Sequence, residues 1–287
     1  MARLPAIPGY ELVKPLGGGH LTCVYEAIES ETDSACAVKL LRSDWETDAM
    51  AIKLLQREAR AGLAVRHPHL VGLRKAHVTR PPYFLVLDLL GGESLRSRLR
   101  RDYRLDIATA LWINRQIAEA LAALHRAGFL HGDIKPDNIR LIDDGIAILI
   151  DLGFAHRPGE NARLREQGYI LGTANYLAPE LCGFETEADQ GPDSSPASDM
   201  FSLGVTFFEM ITGQLPYPTG SIDQTFRRHC ADPPRNIRML TSLLHPALVQ
   251  IIERLLERRP AKRPRAAALI QQLIALEIST LGRRRSA

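Results

Sequence analysis

His131-Gly132-Asp133-Ile134-Lys135-Pro136-Asp137-Asn138 is the stretch on which the reading of this chain turns. It places an acid, a cation two residues on and an amide three further on, just after a segment of helical periodicity. Such an Asp can accept a proton from a hydroxyl, the Lys can sit against a phosphate, and the Asn can hold a divalent ion. Thirteen residues after Asn138 comes Asp151-Leu152-Gly153, preceded by the apolar run Ile146-Ala147-Ile148-Leu149-Ile150. That pattern predicts a strand delivering a second carboxylate to the same place.

Working outward, the segment before this stretch reads as a helix. Ile107, Leu111, Ile117, Leu121 and Leu124 share one face, and Gly128 is its expected C-cap. Toward the N-terminus the signals are strand-like. Tyr10–Leu16 runs into Gly17-Gly18-Gly19, then Cys23–Ile28, a polar turn, and Ala35–Leu41. Glycines in a strand-to-strand turn let backbone N–H groups approach phosphates, although a Gly-rich hairpin alone is more often only a turn. Lys39 lies inside an apolar strand and needs a counter-ion. Met50–Val65 reads as a helix carrying Glu58, the natural partner, and two further strands are expected at Leu70–His77 and Tyr83–Leu87.

Together these features resemble the eukaryotic-type protein kinases, and the Arg- and Ala-rich composition resembles the bacterial Hanks-type serine/threonine members. The resemblance covers about residues 9–277 and implies an α+β, two-lobed fold: a β-rich small lobe over 9–88, a hinge at 88–92, a helical large lobe over 93–277, and a basic tail at 278–287. It implies Asp133 as catalytic base, Lys135 on the transferring phosphate, and Asn138 and Asp151 as ligands of Mg²⁺, with Mn²⁺ as an alternative ion. ATP would lie against Leu16, Gly17, Gly18, Gly19, Val24, Ala37, Lys39, Glu58, Leu87, Asp88 and Leu90. Thr173 and Glu180, in Thr173-Ala174-Asn175-Tyr176-Leu177-Ala178-Pro179-Glu180, would belong to the segment that docks a protein substrate, with Arg263 as the partner of Glu180.

The chain departs from the family pattern at several positions. Thr22 stands in place of a third loop glycine, Gly62 in place of an apolar side chain one turn after Glu58, and Arg140 near the adenine floor. Gly132 replaces an Arg that in many kinases binds a phosphorylated loop residue, and between Leu152 and Gly172 Tyr169 is the only hydroxyl. Activity is therefore expected not to need loop phosphorylation. Gly62 suggests a loosely packed Glu58 helix seated by a homodimer contact or an activator. An ATP-binding pseudokinase acting as a protein-interaction module is the alternative function. Small-molecule phosphotransferases share the His-Gly-Asp loop but lack the Ala-Pro-Glu segment, and tyrosine kinases do not usually place a Lys where Lys135 stands.

Composition sets the remaining bounds. Apolar content of 45 % and charged content of 24 % suit a soluble globular protein of 287 residues. A formal charge of +3 gives no argument for nucleic acid. The Arg-rich stretches Arg96–Arg104 and Arg283–Arg285 read as solvated faces, with an acidic partner or a membrane surface as the other reading. Four Cys without metal spacing, no signal peptide and no membrane-length apolar run point to a cytoplasmic protein. His67-Pro68-His69 reads as a turn rather than a metal site. Glu185–Ser198 reads as an exposed loop insert, with Ser194 or Ser195 as an autophosphorylation site in the other reading.

Overall fold

A computed structural model describes residues 4–142, 145–166, 169–183, 194–241 and 244–284. The first part is a sheet of five strands: β1 Tyr10–Gly18, β2 Thr22–Glu29, β3 Ala35–Leu41, β4 Leu73–His77 and β5 Phe84–Leu87, in the order β1-β2-β3-β5-β4. Neighbouring strands are antiparallel throughout. Side chains alternate across such a sheet. In β3, Cys36, Val38 and Leu40 therefore join Tyr10, Ala27, Phe84 and Val86 on one face. Leu41 joins Leu55, Ala59, Leu73 and Leu85 on the other, against helix α1 (Ala49–Ala64). Lys39, two residues before Leu41, is thereby turned to the α1 face.

Helix α1 opens on Asp48, whose carboxylate accepts from the Ala51 N–H at 2.7 Å. A side-chain cap of this kind stabilises a helix start by about 1 kcal/mol. Its buried positions include Ala51, Leu55, Glu58, Ala59 and Gly62, the spacing of one helix face. Glu58 sits in the middle of that face and is carried inward with it.

After the connection at 88–92 the chain becomes mainly helical. A short strand β6 (Glu93–Ser94) pairs with β7 (Ile139–Ile142), which pairs with β8 (Ile146–Leu149). The helices are α2 Leu95–Asp102, α3 Ile107–Arg126, α4 Ala162–Glu166, α5 Pro196–Thr212, α6 Ile222–Ala231, α7 Ile237–Leu240, α8 Pro246–Leu255 and α9 Ala266–Arg284. Helix α3 ends in a Schellman motif at Gly128, with φ 77°: the Phe129 N–H bonds the Leu124 carbonyl and the Gly128 N–H that of His125. This turn aims the chain at His131. The α+β class and the two-lobed division follow: an antiparallel sheet with one helix, then a helical bundle around α3 and α5.

Three expectations change. Most of the stretch Arg96–Arg104 is the solvated face foreseen, on helix α2 and the residues after it, but Arg96 is not a surface charge; it binds Glu209 at 2.5 Å, Asp137 at 3.1 Å and the Tyr176 hydroxyl. Helix α5 begins at Pro196, capped by Ser195, and carries Asp199 inside its first turn. Of the exposed insert foreseen at Glu185–Ser198, residues 185–193 lie outside the described residues; Ser194 is buried and shares a 2.6 Å hydrogen bond with His156. The tail foreseen from 278 is, as far as Arg284, the continuation of α9.

Candidate active site

The cleft between sheet and helices holds about 460 Å³ and is lined by Leu16, Gly17, Gly18, Gly19, Val24, Ala37, Lys39, Glu58, Leu87, Asp88 and Leu90. Asn138 and Asp151 line it as well. Thr22, Val71, Leu89, Asp137, Arg140 and Ile150 complete the wall. Val71 and Ile150 carry no signal in the sequence beyond being apolar; only the folded register brings them to the cleft. A Cβ on Gly17 or Gly19 would meet nothing, whereas one on Gly18 would lie 2.7 Å from the Thr22 carbonyl oxygen. Gly18 is thus required by the hairpin itself, while Gly17 and Gly19 leave room for a ligand. Arg140 donates from Nε to the Gly91 carbonyl at 2.8 Å, so its guanidinium pins the end of the interlobe connection.

Lys39 lies at the centre of the first charged cluster. Its ammonium is 2.8 and 2.7 Å from the two carboxylate oxygens of Glu58 and 2.5 Å from Asp151 Oδ1. Burial disfavours the ammonium, but the two carboxylates outweigh that effect and hold its pKa above the usual lysine range. Lys39 draws the Asp151 carboxyl down to about 2 against the effect of burial. Burial keeps Glu58 above the usual carboxylate range despite the attraction of Lys39. Of the two acids, Asp151 is the one held firmly ionised. Asp151 also occupies the left-handed region at φ 65°, a conformation that a non-glycine residue keeps only when its surroundings fix it. Those surroundings are Lys39 and the Gly153 N–H, 3.2 Å from Oδ1.

The second cluster surrounds Asp133, which is only 4 % exposed. Oδ2 accepts from Lys135 at 2.7 Å and from the Asn138 amide at 3.0 Å; Oδ1 accepts from the Thr173 hydroxyl at 2.7 Å. Lys135 also donates to Thr173 Oγ1 at 2.7 Å, closing a triangle. Asn138 spends its NH₂ on the carboxylate and carbonyl of Asp133. This leaves its amide oxygen as a hard donor in the cleft that Asp151 also lines. Two oxygen ligands with phosphates and water completing the shell suit Mg²⁺. Among the described residues no group of three or more His, Cys, Asp or Glu is placed to hold a metal. His67 and His69 lie in a turn, where the His69 N–H donates to His67 Nδ1 at 3.2 Å.

Asp199 fixes the backbone that carries these groups. From within α5 its carboxylate accepts from the N–H of His131 at 2.9 Å and of Gly132 at 3.0 Å, with His125 Nε2 at 2.8 Å. Burial opposes the charge, but the His125 contact and these N–H groups hold its pKa below the usual range. Gly132 has φ 81°, a conformation that suits glycine and would strain the Arg found in many kinases. On the far side of the site Glu180 and Arg263 form a buried bidentate pair at 2.7 and 2.8 Å, joined by the Ser198 hydroxyl. Leu177, Cys182 and Phe226 make a small apolar cluster beside it.

Gly62 does not leave the gap expected of it. A Cβ there would lie 3.0 Å from the Leu73 Cβ, so Leu73 already fills the space next to α1. The sequence gives no sign of this, because Leu73 comes from a strand after the helix.

The profile of the protein kinase domain matches residues 10–274. The chain is a protein kinase domain. Curated relatives include the serine/threonine-protein kinase PknA of Mycobacterium tuberculosis, 32 % identical over 271 residues, or 93 % of this chain and 60 % of PknA. PknD of the same species is 32 % identical over 88 % of this chain and 37 % of its own length. PknK of Mycobacterium bovis is 34 % identical over 91 % of this chain and 23 % of its own. The kinase domain described here therefore spans 60 % or less of the length of these relatives. Among the described residues no helix is long and apolar enough to cross a membrane.

Proposed function

We propose that this kinase domain transfers the γ-phosphate of ATP to serine or threonine hydroxyls of proteins, with Mg²⁺ as the ion of first choice and Mn²⁺ as a substitute. The triangle of Asp133, Lys135 and Thr173 carries the reading. Phosphoryl transfer asks a protein mainly for positioning and charge neutralisation. Thr173 Oγ1 sits within hydrogen-bond reach of both Asp133 and Lys135, where an incoming hydroxyl would have to lie. Asp133 orients that hydroxyl and accepts its proton; Lys135 neutralises charge on the moving phosphate. Asn138 and Asp151 would hold the divalent ion, which would supply positive charge to neutralise the ATP phosphates. Lys39, kept in place by Glu58, fixes the α- and β-phosphates, and Gly17 to Gly19 cover them. The adenine lies between Val24 and Ala37, facing the backbone of Asp88 and Leu90, with Leu87 at the back of the pocket.

Two features support activity without loop phosphorylation. No Ser or Thr occurs between Leu152 and Gly172, and the backbone at Gly132 does not favour an Arg. Tyr169, 59 % exposed, has its backbone N–H on the Leu164 carbonyl. Cys36 and Cys182 are buried free thiols, which suit the cytoplasm.

The test is transfer of label from ATP with Mg²⁺ to the kinase itself and to a generic basic protein, for wild type and Asp133→Asn, before and after phosphatase treatment. Label on Ser or Thr, lost in the variant and insensitive to phosphatase, supports the whole reading. ATP binding without any transfer favours the pseudokinase. A large loss after phosphatase removes the loop-independence alone.

A further inference from the structure

Glu160 lies against α1 in a nest of arginines. Arg60 Nη2 is 2.6 and 2.7 Å from its two carboxylate oxygens, and the backbone N–H of Arg157 donates to Oε2 at 2.8 Å. Arg57 Nε is 3.7 Å from Oε1, and Arg57 Nη2 donates to the Glu160 carbonyl at 3.2 Å. Nη1 of Arg57 donates to Asn161 Oδ1 at 2.7 Å. Arg57 is 5 % exposed and its Nε has no hydrogen-bond partner, so its charge depends on the carboxylate beside it. Arg57 directly precedes Glu58, the partner of Lys39. The guanidinium groups of Arg60 and Arg157 also stand over the buried ring of Phe129, at 5.7 and 5.3 Å, two residues before His131. One carboxylate thus joins α1, the segment after Asp151 and the root of the catalytic loop.

We propose that Glu160 is a positioning residue for phosphoryl transfer: a resident anion that seats α1 through Arg57 and Arg60 and keeps Glu58 on Lys39. The proposal rests on the reading that no loop phosphate is needed, and it names the group that stands in for one. A buried guanidinium without an anion is strongly unfavourable. Removing the Glu160 charge leaves Arg57 with neutral acceptors only and gives α1 a reason to turn outward. Arg60 and the Arg157 N–H hold the Glu160 carboxyl below the usual range although burial acts the other way, so it stays charged at neutral pH.

The experiment compares Glu160→Gln, Glu160→Asp and Arg60→Ala with wild type by kcat, KM for ATP, melting temperature and hydrogen exchange of residues 49–64. For Glu160→Gln and Arg60→Ala the expected result is a fall in kcat/KM for ATP of about tenfold, carried by KM, a size in keeping with a partly buried bidentate pair. Faster exchange confined to α1 accompanies it, together with a fall in melting temperature in Glu160→Gln, because Arg57 is left buried without an anion. Glu160→Asp, which keeps the charge, recovers to within about threefold of wild type. Wild-type KM and wild-type exchange in Glu160→Gln overturn the proposal while leaving phosphatase-insensitive activity untouched. A fall in melting temperature without faster exchange confined to α1 also overturns it, because that is a purely structural role. Loss of wild-type activity on phosphatase treatment overturns both readings, since a phosphate would then be the controlling anion.

Discussion

The two charged clusters of the cleft are built in opposite ways. The cluster at Lys39 gathers its members from β3, α1 and the turn after β8, elements that belong to different lobes. The cluster at Asp133 takes three of its four side chains from one loop of six residues, and Asp199 of the buried helix α5 hangs that loop on the core. Asp133 is thus fixed by the large lobe alone, while Lys39 keeps its partner only when α1 is seated. Control of such an enzyme falls naturally on the first cluster, because displacing α1 breaks a pair between elements without disturbing the core.

The largest effect that would sharpen this contrast is expected at Asp133. Asp133→Asn removes the proton acceptor and leaves the cleft intact. Turnover should fall by at least about 100-fold with nucleotide affinity unchanged. Steady-state kinetics and nucleotide titration check this, and weakened binding would show the two clusters to be coupled. Lys39→Met should do the reverse, raising KM for ATP by about tenfold or more and destabilising the fold, because Glu58 is left buried and unpaired. Urea unfolding measures the second part.

Asp199→Asn lies between them. The amide still reaches one N–H, but the charge that holds two backbone donors and His125 is lost. A stability loss of about 2 kcal/mol and a fall in kcat with little change in KM are expected. A variant with intact kcat would deny α5 its role as the anchor of the loop.

The pH dependence separates the clusters again. The folded pKa of Asp151 is depressed to about 2, so its contribution to stability is full above the ordinary carboxylate range and is lost as pH falls through about 2. The difference in urea midpoint between wild type and Asp151→Asn should be constant from about pH 5 to 8 and shrink only below about pH 4. A difference that closes near neutral pH would mean Lys39 does not hold this carboxylate.

The smallest effect is expected at Gly62. Gly62→Ala gains up to about 1 kcal/mol of helix propensity and spends it on the 3.0 Å approach to Leu73, for a net change near zero. A clear gain in stability and activity would mean that α1 is under-packed after all.

Much of the site was legible because its groups sit at short fixed spacings. Asp133, Lys135 and Asn138 lie within one loop, Asp151 follows an apolar run, and Lys39 is a charge inside a buried strand that demands a partner. The sheet and α1 were legible from alternation and helical periodicity. Contacts made across long sequence separations were not. Arg96 reads as one of a run of surface arginines, yet it binds Glu209, 113 residues away. Arg57 and Asn161 are 104 residues apart and show no shared pattern. Only the fold shows that the Asp199 carboxylate faces inward to His131, 68 residues away. Leu73 closes the space at Gly62 from a strand that the sequence places after the helix.

The dependence of the loop on Asp199 has a consequence for the order in which the chain becomes an enzyme. His131 and Gly132 emerge from the ribosome 68 and 67 residues before the carboxylate that holds them. At about 5–20 residues per second the loop waits several seconds for its anchor. A nascent chain that stops short of α5 can already carry the whole sheet and every residue that lines the cleft, yet the loop at Asp133 has nothing to hang from. The cleft can therefore form before the loop at Asp133 is held, and Asp199, which holds that loop, does not line the cleft.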